Sequence, residues 1–498
     1  MTDSPCRQFE ERLLSLPKPD PLRTEPGEEL ARRLHAAVCR TMPPAGGVTL
    51  DAYSKAFGEG KPPVSPAILD WVERESTRLY GADAAATLVR ELSRRNAVQT
   101  ANHLGPSFSA EFFQGDLLFA LGCKETVPIF AYGGVPFLNV GFPRGALIAP
   151  NLPGTLQPRK VPLLPRVGRR RFISSSPAVH PEDVDLPTGA IMTAEERSVM
   201  ARIVERVHRN PKVLHQTSMR DQFATAGSEL WSMAVGDVLP PVFMLDFETM
   251  IRDLVRSDLQ DPDSLVSKVL LTPELAIEVR TELAETRGCW FLNPDGSLKR
   301  GALFFWAIDD EARAWSLDLS EDGRSLFRTE GAGPIDAEPW VRLTREDLTR
   351  ALDDGRLQPA LYLFVVSVAV THGLNTGGGV YQIEYVPAMA CGTRRALHAV
   401  GDHSGPYAES DFTTGMLPIG IRAPSTQSLL KTLPAGAFEV IARGGLKPET
   451  VAAMRETTVR RAFLPALAYH YEDLVPEAER TDEWLASLAV PAPIVLDD

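Results

Sequence analysis

The chain has 498 residues, 44% hydrophobic and 23% charged, with 52 Lys and Arg against 65 Asp and Glu for a net charge of −13. This composition is that of a folded globular protein and excludes a disordered or fibrous chain. The negative field disfavours non-specific contact with nucleic acid or an anionic membrane.

In chain order, residues 1–25 are polar and proline-containing and are expected to dock only loosely; no apolar leader stretch precedes Asp20, so no secretory signal is expected. Residues 26–186 form a helical region with a β-hairpin. Helices are expected over 28–40, 66–80 and 82–96, the last broken by the loop Asn102-His103-Leu104-Gly105-Pro106. Ser107 or Ser109 can cap the next helix, which carries Phe112, Phe113, Leu117, Leu118 and Leu121. Runs 126–132 and 135–142 around Gly133-Gly134 read as a hairpin. Six basic residues then fall between Arg159 and Arg171 with no acid among them.

Residues 187–475 are a mixed helical and β-meander region. Thr193-Ala194-Glu195-Glu196 is a capping box opening a helix to about Asn210, and helices are expected to dominate as far as Glu285. Runs 302–308 and 312–319, with a third after Asp322-Gly323, make a meander. A short helix over 344–353, a buried one over 357–372 ended by Gly373, a strand over 380–386 and helices through most of 388–474 complete it. Residues 476–498 are an acidic tail. The irregular order of elements favours an α+β fold, with antiparallel hairpins or a meander, as one large enzyme body or two intertwined lobes.

Asp116 is the first residue to carry chemistry. Its neighbours at three and four positions are Phe112, Phe113, Phe119 and Ala120, so helical geometry puts the carboxyl on an apolar stripe. A buried carboxylate without a partner is costly and is neutralised or paired. His103 lies in the loop entering the same helix, and a histidine oriented by a carboxylate is a general-base arrangement. The expected pair is therefore His103 as base and Asp116 as orienter or acid, with Asn102 and Gln114 binding substrate. A second segment, His372 to Gly379, ends a buried helix at a histidine and contains Asn375 and three glycines. Gln382, Glu384 and Tyr385 follow it as further substrate-binding candidates, with His372 a third catalytic one. The glycine run lacks GxGxxG spacing and is expected to lead into a strand, unlike a phosphate loop. Gly401-Asp402-His403-Ser404-Gly405 reads as a loop turn, and Cys391, near a helix start, is the better placed of the possible thiol nucleophiles.

No metal site or cofactor is expected, since no HExxH, CxxC or nucleotide motif occurs. Five widely spaced cysteines fit reduced thiols in a cytoplasmic protein, and no apolar run is long enough for a membrane span. These features describe a cofactor-independent enzyme of small-molecule, biosynthetic metabolism. It would use general acid/base catalysis on a polar, amino-bearing substrate, by acyl or aminoacyl transfer or by elimination or cyclisation. A protein partner or a phosphate-bearing donor such as a carrier or tRNA could dock on Arg159–Arg171, the one role in which nucleic acid is expected. The competing expectation is a non-catalytic scaffold that delivers substrate to another enzyme.

Overall fold

The computed structural model describes residues 47–105, 109–133, 145–150, 158–164, 171–184, 192–286, 288–330, 335–403, 412–423, 431–466, 477–481 and 490–496. The expected helix over 28–40 and strand over 135–142 lie outside them.

Local signals set the early elements. The Ser65 hydroxyl accepts from the Ile68 amide and Pro66 opens helix Pro66–Tyr80, where a missing proline N–H costs nothing. Gly81, at φ 88°, ends that helix and Ala82–Arg94 follows. The capping box at Thr193 and Glu196 opens Ala194–Ile203, which widens into a π-helical turn, Val204–His208.

The centre of the molecule is a four-stranded parallel sheet, which sequence periodicity does not announce. Its strands are β1 (Val98–Gln99), β2 (Val127–Ala131), β3 (Val242–Asp246) and β4 (Thr376–Gly377), in the spatial order β4-β1-β2-β3. Two strands precede residue 186 and two follow it. Val127 to Ala131 pairs with Val242 to Asp246, and Val98 and Gln99 pair with Thr376 and Gly377. Because β2 has a parallel neighbour on each side, it is not half of the expected hairpin.

Both faces of the sheet are covered. Ile129, Val242 and Met244 join an apolar cluster with Phe113 and Leu117 of helix α1 (Ala110–Ala120) and Phe223, Ala226 and Leu230 of α2 (Met219–Val235). Val98, Phe130 and Leu245 point the other way, into a cluster with Met250, Ile251 and Leu254 of α3 (Phe247–Asp258). Strands buried on both faces are apolar throughout rather than alternating, which is why Val127–Ala131 carries no period-two signal.

The rest is antiparallel or mixed, so the fold is α+β. The meander is present: Phe305–Ile308, Ala314–Leu319 and Ser325–Thr329 pair in succession, flanked by Leu357–Pro359 and Val341–Arg342. Ile419–Arg422 pairs with Thr432–Pro434 and Ile494–Leu496, interrupting the helices expected after residue 388. No described helix is long and apolar enough to cross a membrane.

Two further expectations are overturned. Residues 357–372 are not one helix: Leu357–Pro359 is an edge strand beside Phe305–Ile308, and a π-helix occupies Phe364–Thr371. Proline suits an edge, where no ladder N–H is needed. Residues 380–386 are not a strand but the start of helix α4 (Gln382–Ala399), which contains Pro387. Its buried residues, Gln382, Val386, Met389, Ala390, Thr393, Ala396 and Leu397, recur at helical spacing, visible only when the pattern is read through the proline.

The glycine run thus joins strand β4 to helix α4, and its first two glycines are needed for close packing. A Cβ on Gly377 would lie 1.5 Å from the Phe412 ring, whereas one on Gly379 meets nothing within 4 Å. Gly377→Ala is expected to lower stability by about 3 kcal/mol or more through overpacking, and Gly379→Ala by less than about 1 kcal/mol. Denaturant melts of the two variants measure the contrast.

Candidate functional site

The loop bearing Asn102 and His103 leaves the carboxyl end of β1 and runs beside the end of β2. The Leu104 amide donates to the Tyr132 carbonyl at 2.7 Å, and the Tyr132 amide to the Asn102 carbonyl at 2.9 Å. The order β4-β1-β2-β3 reverses direction between β1 and β4, and in open parallel sheets ligands collect outside the carboxyl ends at such a reversal.

Asp116 is buried on α1, as its apolar stripe requires. Its partner is Asn102, whose Nδ2 donates to Oδ2 at 2.8 Å; His103 makes no hydrogen bond to it. Burial pushes the Asp116 carboxyl up to about 8, against the pull of the Asn102 and Gln99 amides. Oδ1 of Asp116 and Oδ1 of Asn102 are both buried without a hydrogen-bond partner. Both residues line a cavity of about 30 Å³ between α1, α2 and the face of β2 and β3. That is room for one or two water molecules, or for the end-group of a larger molecule.

His208 lines the same cavity, and sequence reasoning missed it. It ends the π-helical turn Val204–His208, and burial lowers its imidazole from 6.5 to about 4. The available signal was the apolar stripe Met200, Ile203, Val204 and Val207, which runs on to His208. His103 is also held near 4 by desolvation, with Nδ1 buried and unpartnered and its ring 5.4 Å from Phe112 and 6.2 Å from Tyr132. Ionisation in the cavity is therefore reversed relative to water: between about pH 4 and 8 the carboxyl keeps its proton and the imidazole has none.

The other candidates are placed elsewhere. Gln114 is fully engaged, donating to the Ile419 and Ala435 carbonyls at 2.7 and 2.9 Å and accepting from the Ile419 amide. It ties α1 to the Ile419–Arg422 sheet and has nothing left for a substrate. Gln382 accepts from Thr100 and donates to the Thr376 carbonyl and hydroxyl, clamping the glycine turn. Tyr385 donates to Gln382 at 3.4 Å, and burial raises its phenol; Glu384 is half-buried in the same first turn. His372 is hydrogen-bonded through one nitrogen to Asp258 at 3.0 Å and through the other to Ser65 at 3.1 Å. Asn96 donates to the Gly373 carbonyl, so His372 lies on the amino side of β1 and His103 on the carboxyl side. Asn375 is on that amino side too, its side-chain amide buried without a partner.

Arg159 of the basic run pairs in two places with Glu196 of the capping box, at 3.0 and 2.5 Å, so its charge is answered from another element. Arg166, Arg169 and Arg170 lie outside the described residues. Asp402 pairs with Lys268 at 3.0 Å. Cys391 is disulfide-bonded, which removes it as a nucleophile and departs from the expectation of reduced thiols throughout; Cys123 and Cys289 are free. Burial pushes the Cys123 thiol up to about 12.

No protein-family model, curated protein or solved structure matches this chain.

Burial of Asp116 has a measurable linkage. From pH 3.8 upward the unfolded chain releases a proton that the folded chain keeps until about pH 8, so this group's contribution falls with rising pH across that window. His103 and His208 have the opposite sign, their contribution rising with pH from about 4 and levelling off above 6.5, and it is the same in wild type and in an Asp116 variant. Asp116→Asn is therefore expected to remove a fall of at most about 2 kcal/mol between pH 6.5 and 8, read as a flatter melting-temperature profile than the wild type's. Parallel profiles would contradict the neutral carboxyl.

Proposed function

We propose that the protein is an enzyme of small-molecule biosynthesis that acts by general acid–base catalysis, with Asp116 as proton donor and His208 as proton acceptor. The supporting observation is that a neutral carboxyl and a neutral imidazole line one cavity. In water at neutral pH the same groups would be mostly a carboxylate and a partly charged imidazole, the wrong states for this division of labour. Groups whose surroundings push their ionisation apart in this way are the pattern of an acid and a base working together.

Each side chain has a defined task. Asn102 holds Oδ2 of Asp116, so Oδ1 is the oxygen that meets the substrate. Asp116 gives its proton to a carbonyl or leaving-group oxygen as His208 removes one from a neighbouring atom. The site stays neutral overall, and the pair resets when the proton returns from His208 to Asp116 through water. The Asn102 Oδ1 acceptor suits a substrate N–H, which favours an amino-bearing molecule. Elimination, cyclisation and group transfer can all use this pairing, and the first two need no donor docked on Arg159–Arg171. His103, on the loop beside the cavity, packs the loop against Phe112 and Tyr132 and is not the base in this reading.

Turnover of a panel of amino-bearing metabolites by wild type, Asp116→Asn and His208→Gln tests the reading. The expected result is a kcat lower by about 10²- to 10⁴-fold in either variant. The wild-type profile should be bell-shaped, with limbs near pH 4 and 8. Equal kcat in wild type and Asp116→Asn on a turned-over substrate would sink it.

A further inference from the structure

The cavity beside Asp116 has a larger neighbour. An open groove of about 650 Å³ lies on the other side of Trp231. Hollows of roughly 300–1,000 Å³ take a whole organic molecule, which the inner cavity cannot. Trp231 and Val242 line both spaces, so the two are separated by single side chains. The indole is fixed there: Nε1 donates to the Pro240 carbonyl at 3.0 Å and its ring meets Phe113 at 6.1 Å.

The groove is built with two kinds of surface. Helical spacing on α2 puts Thr225, Ser228, Glu229 and Ser232 on one face, away from the core residues Phe223, Ala226 and Leu230. Opposite stands an aromatic wall of Tyr80 and Phe243, with ring centroids 5.0 Å apart. The Tyr80 hydroxyl is used up, donating to the Met244 carbonyl and accepting from Ser228. Among the charged side chains lining the groove, Glu229 is taken up by Lys212 at 3.0 Å and by the Asn210 side-chain amide at 3.1 Å, so the charge left over is that of Asp237. The balance favours a cation over an anion.

Thr225 points to a ligand. It is 4% exposed and lines the groove, and its hydroxyl has no hydrogen-bond partner. A threonine within a helix ordinarily returns its hydroxyl to a carbonyl of the preceding turn, and leaving it buried and unpaired lowers stability. A hydroxyl in that state, at the base of a groove large enough for an organic molecule, is placed to meet a polar group from outside the chain.

We infer that this groove binds the body of an aromatic amine that carries a hydroxyl. The ring lies against Tyr80 and Phe243, the hydroxyl meets Thr225, and the ammonium group is held by the Asp237 carboxylate. This deepens the catalytic reading by naming the part of the substrate that the groove holds, and it rests on that reading only for the other end of the molecule, whose N–H meets Asn102 Oδ1 beyond Trp231. Binding in the groove needs nothing from Asp116.

Titration calorimetry of the full chain with tyramine, a small amine with both an aromatic ring and a hydroxyl, is the test. Saturable binding is expected, weakened roughly tenfold or more in Thr225→Val and in Asp237→Asn. Phenethylamine, which lacks the hydroxyl, should lose less on Thr225→Val than tyramine does. Thr225→Val should melt at or above the wild-type temperature, because it deletes the unpaired hydroxyl, so weaker binding cannot be blamed on unfolding. No saturable binding in the millimolar range, or an unchanged Kd in both groove variants, overturns the inference. If the groove binds but Asp116→Asn turns over as fast as wild type, only the catalytic reading fails.

Discussion

Strand β1 is two residues long and has a parallel neighbour on each side, and the middle of the molecule is organised around satisfying it. The Val98 amide donates to the Asn375 carbonyl and the Thr100 amide to the Gly377 carbonyl, at 3.0 and 2.7 Å. So short a ladder leaves carbonyls of the adjoining turn without a strand partner, and side chains supply what is missing. Gln99 donates to the Thr414 hydroxyl, and the Gly378 carbonyl accepts from the Thr414 amide and from the Thr413 hydroxyl. The glycines at 377 and 378 follow from this strapping: Phe412 lies on one and the Gln382 side chain on the other. The run that looks like a ligand loop in the sequence is held by the chain's own donors.

The strapping also places the chemistry. It directs the chain after β1 along the end of β2, which carries Asn102 to the start of α1 and within 2.8 Å of Asp116. No cation among the described residues pairs with that carboxyl. Two amides stabilise its ionised form, and burial outweighs them. Folding therefore keeps a group whose ionised form is costly to bury, at the point where two helices and a sheet face leave a small hollow. Strain of this electrostatic kind is tolerated where it is useful. The neutral His208 across the hollow makes the arrangement more than an isolated buried acid.

Much of the secondary structure could be read from local chemistry. Ser65 with Pro66, Thr193 with Glu196, and Thr344 ahead of Arg345–Asp353 are caps whose hydrogen bonds form within one helical turn, so no distant residue can revise them. The meander was legible because its strands each face solvent on one side and pair in sequence order. The parallel sheet was not, because β1 and β4 are two residues long, β2 and β3 are largely apolar on both faces, and partners lie more than a hundred residues away in β3 and β4. Residues 380–386 misled for a related reason: over seven residues, alternation and helical spacing look alike, and Pro387 hid the longer period.

The sequence by itself determined that Asp116 is buried, because helical geometry sets Phe112, Phe113, Phe119 and Ala120 around it whatever else the chain does. It also determined that the Asn102-His103-Leu104-Gly105 turn lies next to that carboxyl, since a short loop cannot take it far. Which residue meets the acid was decided only by the tertiary structure. The pairing of that loop along Tyr132 turns Asn102 toward Oδ2 and leaves His103 beside the rings of Phe112 and Tyr132. Gln114 and Gln382 were sealed by carbonyls and hydroxyls from distant elements, His372 was bound to Asp258 and Ser65, and His208 was brought in from almost a hundred residues away. The physical reason is the same in each case. Burial of a side chain follows from near neighbours along a helix, whereas its hydrogen-bond partner depends on whichever backbone and side-chain groups the whole fold leaves unpaired.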